Sequence, residues 1–309
     1  VFMEEGRENE MKSPLVFKRL TLESLNDIYP YLKVFKGMSC DYTAGGLLMW
    51  IDYFKYEYCV YGGTLFVKSV AEDNLDHVAF AQPLGTMPLD EAVSLLAEYC
   101  KEQGYPLSFS AITEFNLEKF IDLQPVRVYP LKAWSDYVYT MEALSTLSGK
   151  KLGKKRNHCN RFVAENPDWT FEPIQTHNLD LVRECFAQVC EGASDAPMAQ
   201  YEREQVWKVL DDLECYPFEA MCLKVGNMVI AFSIGEVLNN VLHVHIEKSL
   251  RDVNGSAEMI NWQFARYISE KYPVVEWVNR QDDAGDEGLR KAKQSYYPAF
   301  LLRKYNVFF

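Results

Sequence analysis

Residues 219–248 read EAMCLKVGNMVIAFSIGEVLNNVLHVHIEK. Two dipeptides, Gly226-Asn227 and Asn239-Asn240, cut three β-rich runs apart. Gly and Asn accept the positive φ that tight hairpin turns need, so the spacing predicts an antiparallel meander over 219–225, 228–238 and 241–248. Downstream, the pattern predicts a helix over 256–271, a strand over 274–278, a short helix over 286–295 and a closing strand over 300–309. Upstream, it predicts a strand over 169–173 and helices over 178–190 and 199–213.

The first part of the chain has a similar grammar. A strand over 15–20 is followed by a helix capped by Thr21 and an aromatic helical stretch over 42–54. Two runs, 56–61 and 64–70, flank Gly62-Gly63 and read as a hairpin. A strand over 77–82 comes next, then a helix from Pro88 to about 103 that Gly104 ends. A strand over 107–112, a short helix over 116–121 and an extended segment over 126–139 complete it. Each part has early helices, a hairpin or meander, a helix and closing strands, with no repeat at the level of residues. The fold class is therefore α+β, two domains with mostly antiparallel mixed sheets. The expected division is a frayed tail over 1–10, a domain over 11–148 and a second over 149–309, with the candidate active cleft in the second.

Composition sets outer limits. The chain has 309 residues, 48% hydrophobic and 25% charged, which is ordinary for globular proteins and enough for a core in each half. No apolar run approaches the ~18 residues that span a bilayer. No leader pattern opens the chain, so the expected location is cytoplasmic. Eight cysteines without close metal spacing read as reduced, mostly buried thiols. A net charge of −12 argues against wrapping long nucleic acid. It is uneven: residues 1–148 carry 12 Lys+Arg against 21 Asp+Glu, and residues 149–309 carry 20 against 23.

Residues 149–162, GKKLGKKRNHCNRF, concentrate the positive charge. Lys150, Lys151, Lys154, Lys155, Arg156 and Arg161 stand together with no acid, in a protein of the opposite sign. Arg offers a planar fork and Lys a point charge to phosphate. The segment reads as an anion site at the domain junction, with Lys154 and Arg161 toward a cleft, or as a solvated helix face. Residues 252–257, DVNGSA, form a Gly-containing turn into a helix, where backbone N–H groups can meet an anion. Strand alternation puts His243, His245 and Glu247 on one face, either as a cleft-facing proton acceptor or as a structural trio. No fourth ligand stands at a metal spacing, so no metal is expected. In residues 277–298, WVNRQDDAGDEGLRKAKQSYYP, acids precede the helix and bases close it, as the helix dipole favours. Tyr296 and Tyr297 follow, and a phenol there is a candidate proton donor.

GKKLGKKRNHCNRF, HVHIEKS, NGSAEMINWQFA and VNRQDDAGDEGLRKAKQSYYPAFLLRKY together resemble the uncharacterised bacterial family similar to the C-terminal domain of phosphatidylglycerol lysyltransferase. DYTAGGLLMWIDYFKYEYCVYGGTLFVKS also resembles it, and the likeness runs from Met11 over nearly the whole chain. It implies a tandem of two GNAT-type acyl-CoA N-acyltransferase folds, and kinship with aminoacyl-tRNA-dependent transferases, including the Fem-type enzymes of peptidoglycan cross-bridges. Carried over by position, Asn254, Gly255, Ser256 and Ala257 match the pyrophosphate loop of such folds. The departure is Asp252, which stands where that loop has Gln or Arg, with Arg251 one residue early. An acid there opposes a pyrophosphate and favours a donor other than acetyl-CoA. The transmembrane half of the full lysyltransferase has no counterpart here, so lipid modification does not follow from the resemblance.

The leading expectation is an acyl- or aminoacyl-transferase. It would move an acyl group from aminoacyl-tRNA or acyl-CoA to an amine or hydroxyl, without a tightly bound cofactor. Glu247 or His245 would accept the proton, Tyr296 would protonate the leaving group, and the basic segment with residues 254–257 would hold the donor's phosphate. The alternatives are a non-catalytic module that binds a phosphate-bearing ligand, and a transient binder of tRNA or anionic lipid through Lys150–Arg161.

Overall fold

The computed structural model describes residues 12–309; the expected tail over 1–10 lies outside the described residues. The chain folds as α+β around two mostly antiparallel sheets. The N-terminal sheet runs in the order Lys18–Arg19, Glu57–Tyr61, Thr64–Ala71, Asn74–Phe80, Ser108–Thr113, Lys304–Phe308, Arg127–Pro130. The C-terminal sheet runs Phe300–Leu302, Asp136–Thr140, Trp277–Asn279, Val241–Ser249, Met228–Leu238, Glu219–Val225, Trp169–Pro173. Its centre is the expected meander, with both turns where Gly226-Asn227 and Asn239-Asn240 stand. Strand 241–249 then pairs in parallel with 277–279 through the crossover helix Ser256–Lys271.

The sheets do not divide where the sequence pattern puts the domain boundary. Strand Asp136–Thr140, expected in the first unit, is built into the C-terminal sheet. The expected single strand over 300–309 is two strands in two sheets: Phe300–Leu302 pairs with 136–140, and Lys304–Phe308 returns to the N-terminal sheet between 108–113 and 127–130. The two units thus exchange strands. The aromatic stretch over 42–54 is α-helical only at Ala44–Leu48, after a 3-10 turn over Cys40–Tyr42; Gly45 and Gly46 lie in that short helix and the chain then leaves it.

Helix Leu89–Gln103 covers one face of the N-terminal sheet through buried Ala92, Val93, Leu96, Tyr99 and Cys100, and Gly104 ends it in the left-handed region at φ 74°. Helix 256–271 lies across the C-terminal sheet and buries Met259, Ile260, Phe264 and Ile268. Helix Gly153–Glu165 packs on that helix through Cys159 and Phe162. The cores interpenetrate at the junction: Met49 packs into the C-terminal core and Leu238 into the N-terminal one. Among the described residues no helix is long and apolar enough to cross a membrane.

Candidate functional site

The site is built on strand 241–249, and a bulge decides its chemistry. In the ladder with 228–238, Gly235 faces Val244 and Ile234 faces Ile246, so His245 is an extra residue. An inserted residue shifts the alternation by one. His243 pairs with Glu236, whereas Glu247 pairs with Ser233. Positions 236 and 233 are three apart on one strand and so lie on opposite faces. The expectation that His243, His245 and Glu247 share one face is therefore corrected. The two histidines stack 6.5 Å apart, 10° from parallel, toward the N-terminal unit. Glu247 faces helix 256–271, and the trio cannot converge on a metal.

Glu247 sits in a half-closed polar nest. Arg280 Nη2 donates to its Oε1 at 2.7 Å and Asn261 Nδ2 to its Oε2 at 3.1 Å. Three buried polar atoms around this carboxylate have no hydrogen-bond partner among the described residues: Arg280 Nη1, Asn261 Oδ1 and Ser233 Oγ. Native interiors satisfy nearly all such groups, so a donor, an acceptor and a hydroxyl left unpaired around one carboxylate mark this as a candidate place for a polar guest. Tyr296 closes one side, its ring between the Arg280 guanidinium at 4.8 Å and the Lys155 ammonium at 4.1 Å. Burial pushes the Tyr296 phenol well above its ordinary pKa, so it holds its proton. Lys155 also pairs with Glu258 at 3.2 Å.

His245 is closed off on the other face. Gln281 Nε2 donates to Nδ1 at 2.9 Å, which leaves Nε2–H to donate to Glu236 Oε2 at 3.3 Å. Both ring nitrogens are engaged and the side chain is fully buried. Glu236 in turn accepts from the backbone N–H groups of Ala44 and Gly45, at 3.2 and 3.1 Å, so this chain of bonds joins the two units. Gly45 is obligatory here, because a Cβ on it would lie 2.4 Å from the imidazole. His243, buried beside a second imidazole, is pushed down to about 3 and is uncharged.

The basic segment is helical from Gly153; Lys150 and Lys151 lie in the turn before it, and the cations from Lys154 on divide by helical phase. Lys155 points into the nest. Arg156 turns back to the carbonyls of Leu147 and Gly149, at 2.5 and 3.4 Å, and closes the preceding loop. Lys150, Lys151 and Lys154 are exposed, with Lys151 over the exposed Tyr297 ring at 5.7 Å. Arg161, expected to face a cleft with Lys154, is exposed and pairs with Glu165 one turn on, at 2.7 Å.

The turn at 252–257 has a different task from the expected open anion loop. Gly255 does adopt φ 79° and precedes helix 256–271. Its Cα is pressed against the basic helix, however: a Cβ there would lie 2.7 Å from the His158 carbonyl oxygen and 3.1 Å from Phe162. Ser256 is buried, with its hydroxyl on the Leu250 carbonyl at 3.1 Å. Asp252, Asn254 and Ala257 are exposed. The glycine serves the close crossing of two helices.

Sequence reasoning missed the hub of the junction, the loop 279–283. Its successive side chains reach different elements: Asn279 donates to Asp136, Arg280 to Glu247, Gln281 to His245, and Asp283 accepts from Tyr137 and Arg290. Asp136 is fully buried in the C-terminal sheet. It receives Lys304 Nζ at 2.8 Å, the Cys40 N–H at 2.9 Å and Asn279 Nδ2 at 2.7 Å. Lys304 is fully buried on the returning strand and also meets Asp41 at 2.7 Å. Cys40, Asp136 and Asp282 offer ligand atoms within 4.8 Å of one another, but the ammonium of Lys304 already supplies the positive charge there. The available signal was Lys304 and Asn306 alternating inward along a strand that otherwise reads as a core segment.

Comparison with known proteins fits this architecture. A structure of a conserved protein of unknown function from Bacteroides thetaiotaomicron superposes with a TM-score of 0.83 at 29% identity, over 95% of this chain and 99% of that one. L-PGS from Bacillus licheniformis shares this fold, with a TM-score of 0.57 at 16% identity, over 80% and 81% of the two chains. Among curated proteins, an uncharacterized protein of Mycoplasmoides gallisepticum is 24% identical over 174 residues; the match spans 56% of this chain and only 56% of that protein's length. The model of the family described as phosphatidylglycerol lysyltransferase, C-terminal, matches residues 33–308, and the chain belongs to that family.

Proposed function

We propose that the chain transfers an aminoacyl group from an activated ester, with aminoacyl-tRNA as the donor class, to an amine or hydroxyl acceptor. The observation that carries this reading is the buried, unpaired polar triad around Glu247. The acceptor forms a new bond to the acyl carbon and the ester C–O bond breaks. Arg280 Nη1 donates to the carbonyl oxygen as negative charge develops on it, the contribution that often dominates acyl transfer. Glu247 accepts the proton of the attacking group, directly or through a water. Tyr296, which holds its proton, gives it to the leaving oxygen. His245 positions the strand through its two hydrogen bonds and leaves the proton transfer to Glu247. Asn261 Oδ1 and Glu258 offer acceptors to a donor's α-ammonium. The exposed Lys150, Lys151 and Lys154 lie on the approach and suit a phosphate backbone.

Acyl-CoA is the less favoured donor. The turn that would cradle its pyrophosphate has Gly255 packed against a helix and Asp252 beside it. Two like charges ~4 Å apart repel by roughly 4 kcal/mol at an effective dielectric of 20. Acetyl-CoA is accordingly expected to bind no better than at about millimolar concentration, ~4 kcal/mol.

The test presents the protein with tRNAs charged with labelled amino acids and follows label into acceptor or water. Protein-dependent consumption of at least one aminoacyl ester, lost in Arg280→Met, supports the reading. Binding that weakens steeply with salt supports the lysine approach. Inert donors across the set, together with micromolar acetyl-CoA binding by calorimetry, would replace it with an ordinary acetyltransferase. Preferential binding to anionic vesicles with no ester consumption would replace it with a lipid binder.

A further inference from the structure

A small cavity of about 20 Å³ lies under the N-terminal sheet, away from the Glu247 nest, lined among others by Asp41, Tyr42, Tyr56, Ser69, Glu72 and Ser110. That volume exceeds the ~10–15 Å³ that a single water-sized occupant needs. Glu72 Oε2 is closed to solvent and has no hydrogen-bond partner among the described residues. The two serine hydroxyls direct their protons elsewhere, Ser110 to Asn306 Oδ1 at 2.7 Å and Ser69 to the Ala79 carbonyl at 3.4 Å. Ser69 Oγ keeps its lone pairs free and Ser110 Oγ, which accepts the Glu72 N–H at 3.5 Å, keeps one, so the lining still offers hard oxygen acceptors.

The charges around the cavity do not balance. Asp41, Asp136, Asp282 and Glu72 face one another across the junction, with Lys304 as the shared ammonium. Lys304 is already divided between Asp41 at 2.7 Å and Asp136 at 2.8 Å. Lys293 is directed to the backbone carbonyls of Arg280 and Asp282. Glu72 is left without an ion-pair partner among the described residues. Burial, and then the neighbouring Asp41, push its carboxyl well above the ordinary range, so an empty site would hold a proton there.

We propose that this cavity binds one monovalent inorganic cation of water-like size, potassium or sodium, through Glu72 Oε2, the Asp41 carboxylate and the Ser69 and Ser110 hydroxyls. The cation enters in exchange for the Glu72 proton. Lys304 beside Asp41 opposes a divalent ion, and hard monovalent cations suit an all-oxygen set. Occupancy would brace Asp41, and through Lys304 the Asp136 strand of the other sheet. The site is independent of the transferase reading.

The experiment measures the melting midpoint of the full chain in 100 mM potassium, sodium or choline chloride, at pH 8 and pH 6. A cation at about ten times its Kd should raise the midpoint by about 2 °C over choline at pH 8. The rise should be smaller at pH 6, where the proton competes. Glu72→Gln and Ser110→Ala should each lose the increment, whatever their own midpoints. Equal midpoints in the three salts would overturn the proposal and leave a proton or a water as the occupant. An increment that survives in both variants would overturn it as well.

Discussion

Replacing Lys304 with methionine tests the junction most directly. Lys304 belongs to a strand of the N-terminal sheet, and its ammonium is fully buried against Asp136 of the C-terminal sheet and against Asp41. Methionine keeps the volume and deletes the charge, leaving a carboxylate with no cation in a dry site. Breaking a buried pair in this way costs about 3–5 kcal/mol, against a total stability of roughly 5–15 kcal/mol. Asp136 keeps the Cys40 N–H and Asn279 amide, which argues for the lower part of that range. The pH dependence has a definite sign. Burial alone would raise Asp136, but Lys304 and the surrounding donors more than offset it, so its folded pKa lies below the ordinary value. A depressed carboxylate stabilises the fold above its unfolded pKa and loses that contribution as pH falls through the folded one. In Lys304→Met the ammonium is gone and burial wins, so the folded form prefers the protonated acid. The defect should be largest near pH 8 and shrink toward pH 5. Urea denaturation of both proteins at the two pH values measures it, and Lys304→Met/Asp136→Asn should recover part of the loss. A defect under about 1 kcal/mol at pH 8, or one equal at both pH values, would refute the account.

Three further outcomes are expected. Gly255→Ala should destabilise by about 1–3 kcal/mol in urea melts, because the new Cβ must displace the His158 backbone and the φ of 79° disfavours alanine; a neutral result would show that the helix crossing is loose. Once a donor is found, Glu247→Gln should lower turnover by roughly 10²–10⁴ with the fold retained, and near-normal turnover would eliminate Glu247 as the base. His243 is held near 3 in the folded state, so below its ordinary 6.5 the unfolded chain takes up a proton that the folded chain refuses. Stability from this group therefore falls from about pH 6.5 downward, and His243→Gln should gain on the parent protein between pH 7 and pH 4; a constant difference in urea midpoints would show that His243 does not titrate this way.

Local signals were legible wherever a turn chemistry or an amphipathic period decided the outcome. The meander followed from two dipeptides, the helix over 89–103 from apolar spacing and a closing glycine, and the helix over 256–271 from its hydrophobic pattern. What escaped were outcomes set by non-local packing. The bulge at His245 moves Glu247 to the other face, and it arises where Gly235 meets the His243 backbone and Phe264 of the crossing helix. No alternation count contains that contact. The exchange of strands has the same origin: Val126–Tyr139 and Phe300–Phe309 each read as one extended run, yet each contributes to both sheets.

The basic segment shows how a charge cluster should be read. Six cations in twelve residues suggested a single anion-facing surface, with Lys154 and Arg161 as its inner members. A helix cannot present them that way. Its buried positions, Cys159 and Phe162, fix the inner face, and one turn before Cys159 that face carries Lys155. Lys154 and Arg161 are seven apart and so share an exposed side. Phase against the apolar stripe therefore assigns the inner role to one cation and releases others to solvent. Lys155 meets Tyr296 and Glu258, while Arg156 closes a loop. Lys150 and Lys151 stand in the turn before the helix and Lys154 in its first turn, all exposed, with Lys151 over the Tyr297 ring, which is where the proposed reading has a phosphate-bearing donor approach. Lys154→Glu and Lys155→Met should separate the two roles. The first should weaken donor binding and flatten its salt dependence, while the second should disturb the nest and lower turnover at saturating donor.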